Sequence, residues 1–283
     1  MIRRSLLLTL ATPALAQPRP VLVASFSILG DMLAQIAPEG ADIRVIAGPE
    51  VDAHHFQPRP SHAEALRGAA LALRNGLGFD AWFDRTARAA GFRSVMVTAT
   101  EGMAARPATG HGHGGQDPHA WQDVALARHY ARRIAAGLAA AGMPHRAEAY
   151  DARLATLDAW IRAEIARVPA ARRMVLTSHD AFAYFGAAYG VRFVAPQGVS
   201  TAAEPSAQAV ATLIRQVRAQ NITAVFMENL TNPATLRRLA QEAGVTVRGR
   251  LFADALSTAD GPAASYEAMM RHNLGLLVPA MLG

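Results

Sequence analysis

Short β-rich runs alternate with Ala-, Leu- and Arg-rich helical stretches along most of the chain. In the first half, predicted strands cover residues 21–24, 43–46, 71–73 and 95–97, and helices between them include 28–37, 61–67 and a segment carrying Trp82 and Phe83. Ser61 is the expected cap of the 61–67 helix, with Glu64 three residues on. Because such alternation is typical of βαβ units, it predicts an α/β fold with parallel sheets.

Two long helical segments, residues 124–141 and 144–168, interrupt this alternation in the middle of the chain. The second has an apolar residue at every third or fourth position, and at ~1.5 Å per residue it spans on the order of 35 Å. The alternation then resumes, with strands at 174–177, 192–194, 224–227 and 245–247 and helices at 207–219 and 233–243. We therefore predict two α/β halves joined by one long helix, divided into an N-terminal lobe 17–143, a linking helix 144–168 and a C-terminal lobe 169–283.

The first sixteen residues have the pattern of a signal peptide. Arg3 and Arg4 precede a short apolar stretch, and Ala14-Leu15-Ala16 forms a small-x-small cleavage site before Gln17. The stretch is too short to span a bilayer, which needs about 20 residues. The sequence contains no cysteine, so no acylated cysteine is expected. We expect export by the ordinary route, with a twin-arginine signal at Arg3-Arg4 as the alternative, cleavage near Ala16-Gln17, and a periplasmic protein without a lipid anchor.

The basic charge of the chain does not indicate a nucleic-acid partner. The formal net charge is +6, and removal of Arg3 and Arg4 with the signal peptide lowers it to +4. The 28 basic residues are all Arg and are mixed with acidic residues, without the dense basic runs or basic–aromatic interleaving that follow a phosphate backbone.

Three histidines and one aspartate stand where a backbone could direct them into a common site. His54 and His179 follow predicted strands, His119 precedes the first long helix, and Asp254 follows the last strand of the second half. Ligands of parallel α/β sheets bind outside the carboxyl ends of strands, and three imidazoles with one carboxylate suit Zn²⁺ or another borderline divalent ion. Each histidine taken alone fits a core or loop role equally well. His111 and His113 lie in a Gly-rich loop, where transient metal collection and no role at all remain open alternatives.

An ordered set of short segments resembles the periplasmic solute-binding proteins of zinc and manganese ABC transporters over the mature chain. Residues 52–60 are similar to the family's Asp-Pro-His-x-Tyr-Glu-Pro-x-Pro segment, with Ala53, Phe56 and Gln57 as departures. The other matching segments, in the family's order, are Ser-Phe-Ser-Ile-Leu-Gly-Asp (25–31), Asn-Gly-Leu-Gly (75–78), Asp-Pro-His-Ala-Trp (117–121), Ser-His-Asp-Ala-Phe-Ala-Tyr-Phe (178–185), Glu-Pro-Ser (204–206), Phe-Met-Glu (226–228) and Asp-Ala-Leu-Ser (254–257).

The resemblance implies that His54, His119, His179 and Asp254 are the metal ligands, between two α/β lobes bridged by one long rigid helix. Manganese binders of the family tend to have a second carboxylate at the third ligand position, and His179 there favours zinc. The implied function is capture of one Zn²⁺ per chain for an ABC-type membrane permease, with manganese or a broader divalent specificity as the alternative. The expected partners are that permease and, as a second candidate, a periplasmic metallochaperone; we expect a monomer and no nucleic acid.

Two other functional classes fit the sequence less well. A zinc hydrolase usually keeps a position open for water beside three protein ligands, whereas four are expected here, and the chain has no His-Glu-x-x-His motif or nucleophile elbow. A surface adhesin built on the same scaffold would need a lipid-anchor cysteine. We therefore expect a transport component and not an enzyme.

Overall fold

Two four-stranded parallel sheets and the helices around them make up the computed structural model, which describes residues 19–108, 115–201 and 206–283. The first half contains β1 (Val21–Phe26), α1 (Ser27–Ile36), β2 (Asp42–Ala47), α2 (Pro60–Arg67), β3 (Leu71–Arg74), α3 (Ala81–Ala89) and β4 (Val95–Thr98). A short 3₁₀ turn (Ala120–Gln122) and the two long helices α4 (Val124–Ala140) and α5 (Ala147–Ala166) follow. The second half contains β5 (Met174–Leu176), α6 (Ala183–Tyr189), β6 (Arg192–Val194), α7 (Ala207–Ala219), β7 (Ala224–Glu228), α8 (Pro233–Ala243), β8 (Val247–Leu251) and α9 (Tyr266–Leu282). The predicted fold, two parallel-sheet α/β lobes, is confirmed.

The two sheets have the same strand order. The first runs β2-β1-β3-β4 and the second β6-β5-β7-β8, and every neighbouring pair is parallel. In such sheets the carboxyl ends of all strands lie at one edge, where loops bind ligands. The shared order was not visible in the sequence, which shows no short-period repeat.

Helix α5 contacts helices of both halves. Its buried side chains, spaced three or four residues apart, are Tyr150, Leu154, Leu157, Ile161 and Ile165. It packs against α1 and α4 of the first half and against α6 and α9 of the second half. It begins later than predicted because the N–H of Arg146 bonds to the carbonyl of Ile36 at the end of α1, and it ends at Ala166, shortly before Pro169. The division of the chain at 144 and 168 stays a prediction.

Three predicted local details differ from the structure. The strand predicted at 245–247 is instead β8, Val247–Leu251, because Val245 closes the end of α8: Gly244 is left-handed and the N–H of Val245 bonds to the carbonyl of Ala240. Helix α2 is capped from Arg59, not Ser61, with Pro60 in its first turn. Helices α6 and α9 were not predicted.

One buried hydrophobic cluster includes side chains from both halves, while a smaller one lies against α7 and α8. Trp121, fully buried, packs against Phe26 and Phe79 with ring centroids 5.1 and 4.9 Å apart.

Among the described residues, no helix has the length and apolar content needed to cross a membrane. The predicted signal peptide, residues 1–16, lies outside the described part.

Candidate metal centre

The carboxyl edges of the two sheets bring the predicted residues together. His54 follows β2, His119 follows β4, His179 follows β5, and Asp254 follows β8. One side-chain ligand atom from each of the four lies within 4.8 Å of every other, although the residues span two hundred positions of the sequence. The long-range arrangement expected from strand ends is therefore the one that the structure contains.

The Asp254 carboxylate lies at the centre of the cluster. Its Oδ2 is 3.1 Å from Nε2 of His179 and 3.5 Å from Nε2 of His54, and its Oδ1 is 3.3 Å from Nε2 of His119. A tetrahedral ion with bonds of about 2.0–2.1 Å has ligand-to-ligand separations of roughly 3.3 Å. The three N–O separations, which involve both oxygens of Asp254, are close to such an edge, and three imidazoles with one carboxylate are a donor set that suits a small divalent cation.

The ligand atoms lack other partners. The side chains of His119, His179 and Asp254 are 0–1% exposed, and that of His54 is 7% exposed. Within the described ranges, neither oxygen of Asp254 nor Nε2 of any of the three histidines has a hydrogen bond. Buried polar atoms without partners are rare because they cost about 1–3 kcal/mol each, and a cation would bind one such atom from each of the four side chains.

Two further carboxylates contact Nδ1 of His119 and Nδ1 of His179 and thereby orient these two imidazoles. Oδ1 of Asp117 lies 2.7 Å from Nδ1 of His119 and accepts the backbone N–H of the same residue at 3.0 Å. Oε2 of Glu228 pairs with Nδ1 of His179, while its Oε1 accepts the backbone N–H groups of Ser178 and His179 at 2.8 and 2.9 Å. A carboxylate on Nδ1 keeps the proton there and leaves the Nε2 lone pair free for a metal.

The pKa values of the buried groups at the centre are shifted in different directions. Burial lowers the pKa of His54, so this imidazole is held neutral. Burial also acts against a charged His179, but Glu228 and Asp254 outweigh it and raise its pKa well above the ordinary value. Burial of Asp254 is outweighed in turn by His179 and His119, which hold the pKa of this carboxyl well below its usual range. Without a metal, the Asp254 carboxylate and the His179 imidazole therefore favour opposite charges.

Hydrogen bonds between the halves hold the His119 and Asp254 segments together. Nε1 of Trp121 and Nε2 of Gln122 both donate to the carbonyl of Ala253, at 2.9 and 3.0 Å. The hydroxyl of Tyr184 donates to the carbonyl of Asp117 at 3.2 Å. These bonds fix the backbone just before Asp254, at Ala253, and just before His119, at Asp117.

Two buried asparagines position ligand segments, and sequence reasoning missed both roles. Nδ2 of Asn75 donates to the carbonyl of Pro118 at 3.0 Å, and its Oδ1 accepts from Tyr130 at 2.6 Å. Asn273 on α9 exchanges two hydrogen bonds with the backbone of Phe252, two residues before Asp254. The resemblance of residues 75–78 to a family segment was the available signal for Asn75; nothing local marked Asn273.

The other described histidines contribute no atom to the four-residue cluster. His55 is exposed, His62 accepts a hydrogen bond from Arg59 at the start of α2, and His129 and His272 bond to the backbone carbonyls of Glu101 and Arg250. His111, His113 and the segment 204–205 lie outside the described residues.

Comparison with known proteins points to one family. The profile described as ZnuA, zinc-uptake complex component A, periplasmic, matches residues 22–280. The zinc-binding protein TroA of Treponema pallidum is 30% identical over 279 residues, which is 95% of this chain and 91% of that protein. The manganese-binding lipoprotein MntA of Halalkalibacterium halodurans is 30% identical over 266 residues, 92% of this chain and 88% of that protein.

Solved structures agree with this assignment. The periplasmic zinc-binding protein TroA from Treponema pallidum superposes with a TM-score of 0.85 at 28% identity, covering 94% of this chain and all of that one (100%). A Mn-bound periplasmic metal-binding protein from Candidatus Liberibacter asiaticus has a TM-score of 0.83 at 22% identity, with 93% and 100% covered, and shows the shared fold alone.

Proposed function

The chain belongs to the zinc-uptake component A family of periplasmic solute-binding proteins, and we propose that it captures one Zn²⁺ per molecule for delivery to an ABC-type permease. Members of this family are metal-binding solute-binding proteins of ABC transporters and not enzymes, so the zinc hydrolase alternative does not apply. Relatives named for zinc and for manganese match equally well, at 30% identity. The choice of ion therefore depends on the centre of this chain.

The observation that carries the proposal is the His54, His119, His179 and Asp254 cluster, with its three N–O separations of 3.1–3.5 Å. Three imidazole nitrogens and one carboxylate suit a borderline ion, and zinc accepts four such ligands in a tetrahedron. Manganese prefers more oxygen donors, and Glu228 is not placed to supply one because it lies against Nδ1 of His179, whereas Nε2 of the same ring faces Asp254. These features favour zinc over manganese.

Capture involves no chemistry on the ion. In our proposal zinc replaces the proton of His179, pairs with Asp254 and joins ligands from both lobes, which stabilises one arrangement of the two sheets. The loaded protein then docks on the permease, which takes the ion. A single stiff connector, α5, favours small tilts of the lobes over a wide hinge closure. The monomeric state, the metallochaperone partner, cleavage after Ala16 and release without a lipid anchor stay predictions of the sequence.

Equilibrium competition on the chelated protein tests the proposal. Zinc should bind at about one ion per chain, and His179→Ala should weaken it strongly, whereas His55→Ala, which removes an exposed neighbouring imidazole, should not. Excess manganese should fail to displace zinc. Weak or multiple zinc binding, or an unchanged affinity of His179→Ala, would contradict the proposal, and displacement by manganese would favour the manganese alternative.

A further inference from the structure

A cavity of about 190 Å³ borders the segments that carry two of the proposed ligands. Asp52, two residues before His54, and Ser178, directly before His179, both line it. Its other polar lining residues include Gln197, Thr201 and Thr231. The cavity therefore lies next to the metal centre, at the carboxyl edge of the second sheet.

The lining offers oxygen atoms and a single negative charge. Among the described residues that line the cavity, Asp52 is the only charged one, and none is basic. Its carboxylate is held in place from two sides: Oδ1 accepts the backbone N–H of His54 at 2.8 Å, and Oδ2 accepts the hydroxyl of Thr201 at 2.7 Å. Each carboxylate oxygen keeps a further lone pair, so Asp52 can still accept hydrogen bonds from the water shell of a cation.

The cavity is large enough for several water molecules, the shell that a hydrated divalent cation brings with it.

The exposure of the ligands indicates the side from which the ion arrives. His54 keeps 7% of its side chain exposed, whereas His119, His179 and Asp254 keep 0–1%. A cation coming from solvent therefore reaches His54 before the other three, and Asp52 is bonded to the backbone of His54. Hard oxygen donors hold a hydrated ion only weakly, whereas the imidazoles behind them bind zinc more tightly, so transfer inward is favoured.

We propose that this cavity is an encounter site, in which a hydrated divalent cation is held by the Asp52 carboxylate and the neutral oxygens around it before the histidines replace its water. The inference rests on the proposed function, because it concerns the path by which the same ion reaches its ligands. It assigns Asp52 a role in the rate of capture that is separate from the strength of final binding.

Stopped-flow mixing of zinc with the chelated full-length protein tests the encounter site. Asp52→Asn removes the charge but keeps an oxygen for the N–H of His54 and a nitrogen that can donate to Thr201. We expect about a tenfold lower association rate constant at 0.01 M ionic strength and a smaller loss at 0.15 M, where the Debye length is about 8 Å. Asp42→Asn, the same charge change at the amino end of β2 and so farther from the cavity, should lower the rate much less.

A further measurement separates an encounter role from a structural one, because it leaves the hydrogen bonds of Asp52 intact. In the unaltered protein, millimolar Mg²⁺ at constant ionic strength should slow zinc association by competing for the oxygens, and this measurement stands even if Asp52→Asn does not fold.

Either of two results would overturn the encounter site: an Asp52→Asn rate within twofold of the unaltered protein at low ionic strength, or zinc association insensitive to Mg²⁺. Both can occur while zinc still binds tightly at one ion per chain, and the proposed function then survives. If the unaltered protein binds no zinc, the proposed function fails and the encounter site fails with it.

Discussion

Oδ1 of Asp117 accepts two hydrogen bonds from His119, one from Nδ1 at 2.7 Å and one from the backbone N–H at 3.0 Å. A single oxygen therefore fixes both the ring orientation and the backbone of one proposed ligand. Glu228 divides the equivalent tasks between two oxygens, since Oε2 pairs with Nδ1 of His179 and Oε1 accepts backbone N–H groups. This difference predicts that amide substitutions at the two positions have unequal effects.

Asp117→Asn should weaken zinc binding by about tenfold. This is the smaller of the losses in metal affinity that are typical when a hydrogen-bond partner of a metal ligand is removed. The amide oxygen can take over both bonds of Oδ1, so the tautomer of His119 is kept and only the negative charge is lost. Competition titration against a chelator of known affinity measures the change. An effect above a hundredfold would show that the charge, and not the hydrogen bonds, matters most.

Glu228→Gln should weaken zinc binding by about a hundredfold or more. If the amide oxygen keeps the backbone N–H groups, the amide nitrogen must face Nδ1 of His179, which then has to accept. The imidazole proton moves to Nε2, the atom that faces Asp254 at 3.1 Å, and blocks it as a ligand. The same titration, run beside Asp117→Asn, measures the ratio; equal losses in the two variants would contradict this explanation.

Zinc affinity should rise with pH above about 6.5. The pKa of His179 is raised because Glu228 and Asp254 outweigh the effect of burial, so the imidazole is protonated in the metal-free protein at neutral pH. Its contribution to the stability of the metal-free fold is complete below the unfolded pKa of 6.5 and is lost as pH rises through the folded pKa. Zinc must displace this proton, which adds up to about tenfold in affinity per pH unit until the folded pKa is reached.

Calorimetry in buffers of different ionisation enthalpy measures the proton release directly. About one proton per zinc is expected at pH 7, since burial lowers the pKa of His54 and that imidazole is already neutral. An affinity that stays flat between pH 6.5 and 8, or no proton release, would contradict the opposite charges of His179 and Asp254.

Trp121→Phe should lower the free energy of unfolding by about 1 kcal/mol and speed zinc release. The ring can still pack against Phe26 and Phe79, but the N–H bond to the carbonyl of Ala253, next to Asp254, is lost. Denaturant unfolding with and without chelator, together with zinc release rates, measures both effects. Trp160→Phe on α5 is the control; if it speeds release equally, the bond across the centre is not responsible.

Gly76→Ala should cost roughly 2–4 kcal/mol of stability. Gly76 has a φ of +92°, and an added Cβ would lie 2.7 Å from side-chain atoms of both Thr98 and Thr100. Gly40→Ala has a similar φ of +78° but open space around it, so its cost, about 1–2 kcal/mol, isolates the backbone strain. Denaturant unfolding of the two variants gives the difference, and equal costs would show that the clash is relieved.

Local sequence patterns predicted much of the fold. Seven of the eight strands in the described part of the chain were predicted within a few residues because short β-rich runs stand between helical stretches, and Gly and Pro separate them. The error at β8 arose because Val245 and Val247 look alike in the sequence, whereas the left-handed Gly244 assigns Val245 to the end of α8. Helix α9 was missed because it is apolar on most of its surface and contains Pro279.

The sequence by itself determined the α/β class, the long helices and, through a resemblance of ordered segments, the four residues expected to bind metal. Only the tertiary structure decided which groups fix the positions of these four residues. The hydrogen bond from Trp121 to Ala253 joins residues 132 positions apart, and that from Leu256 to Ser27 joins residues 229 positions apart. Such pairs leave no periodic signal along the chain. They form because two sheets of the same strand order place their carboxyl edges face to face, where buried polar groups must find partners across the gap.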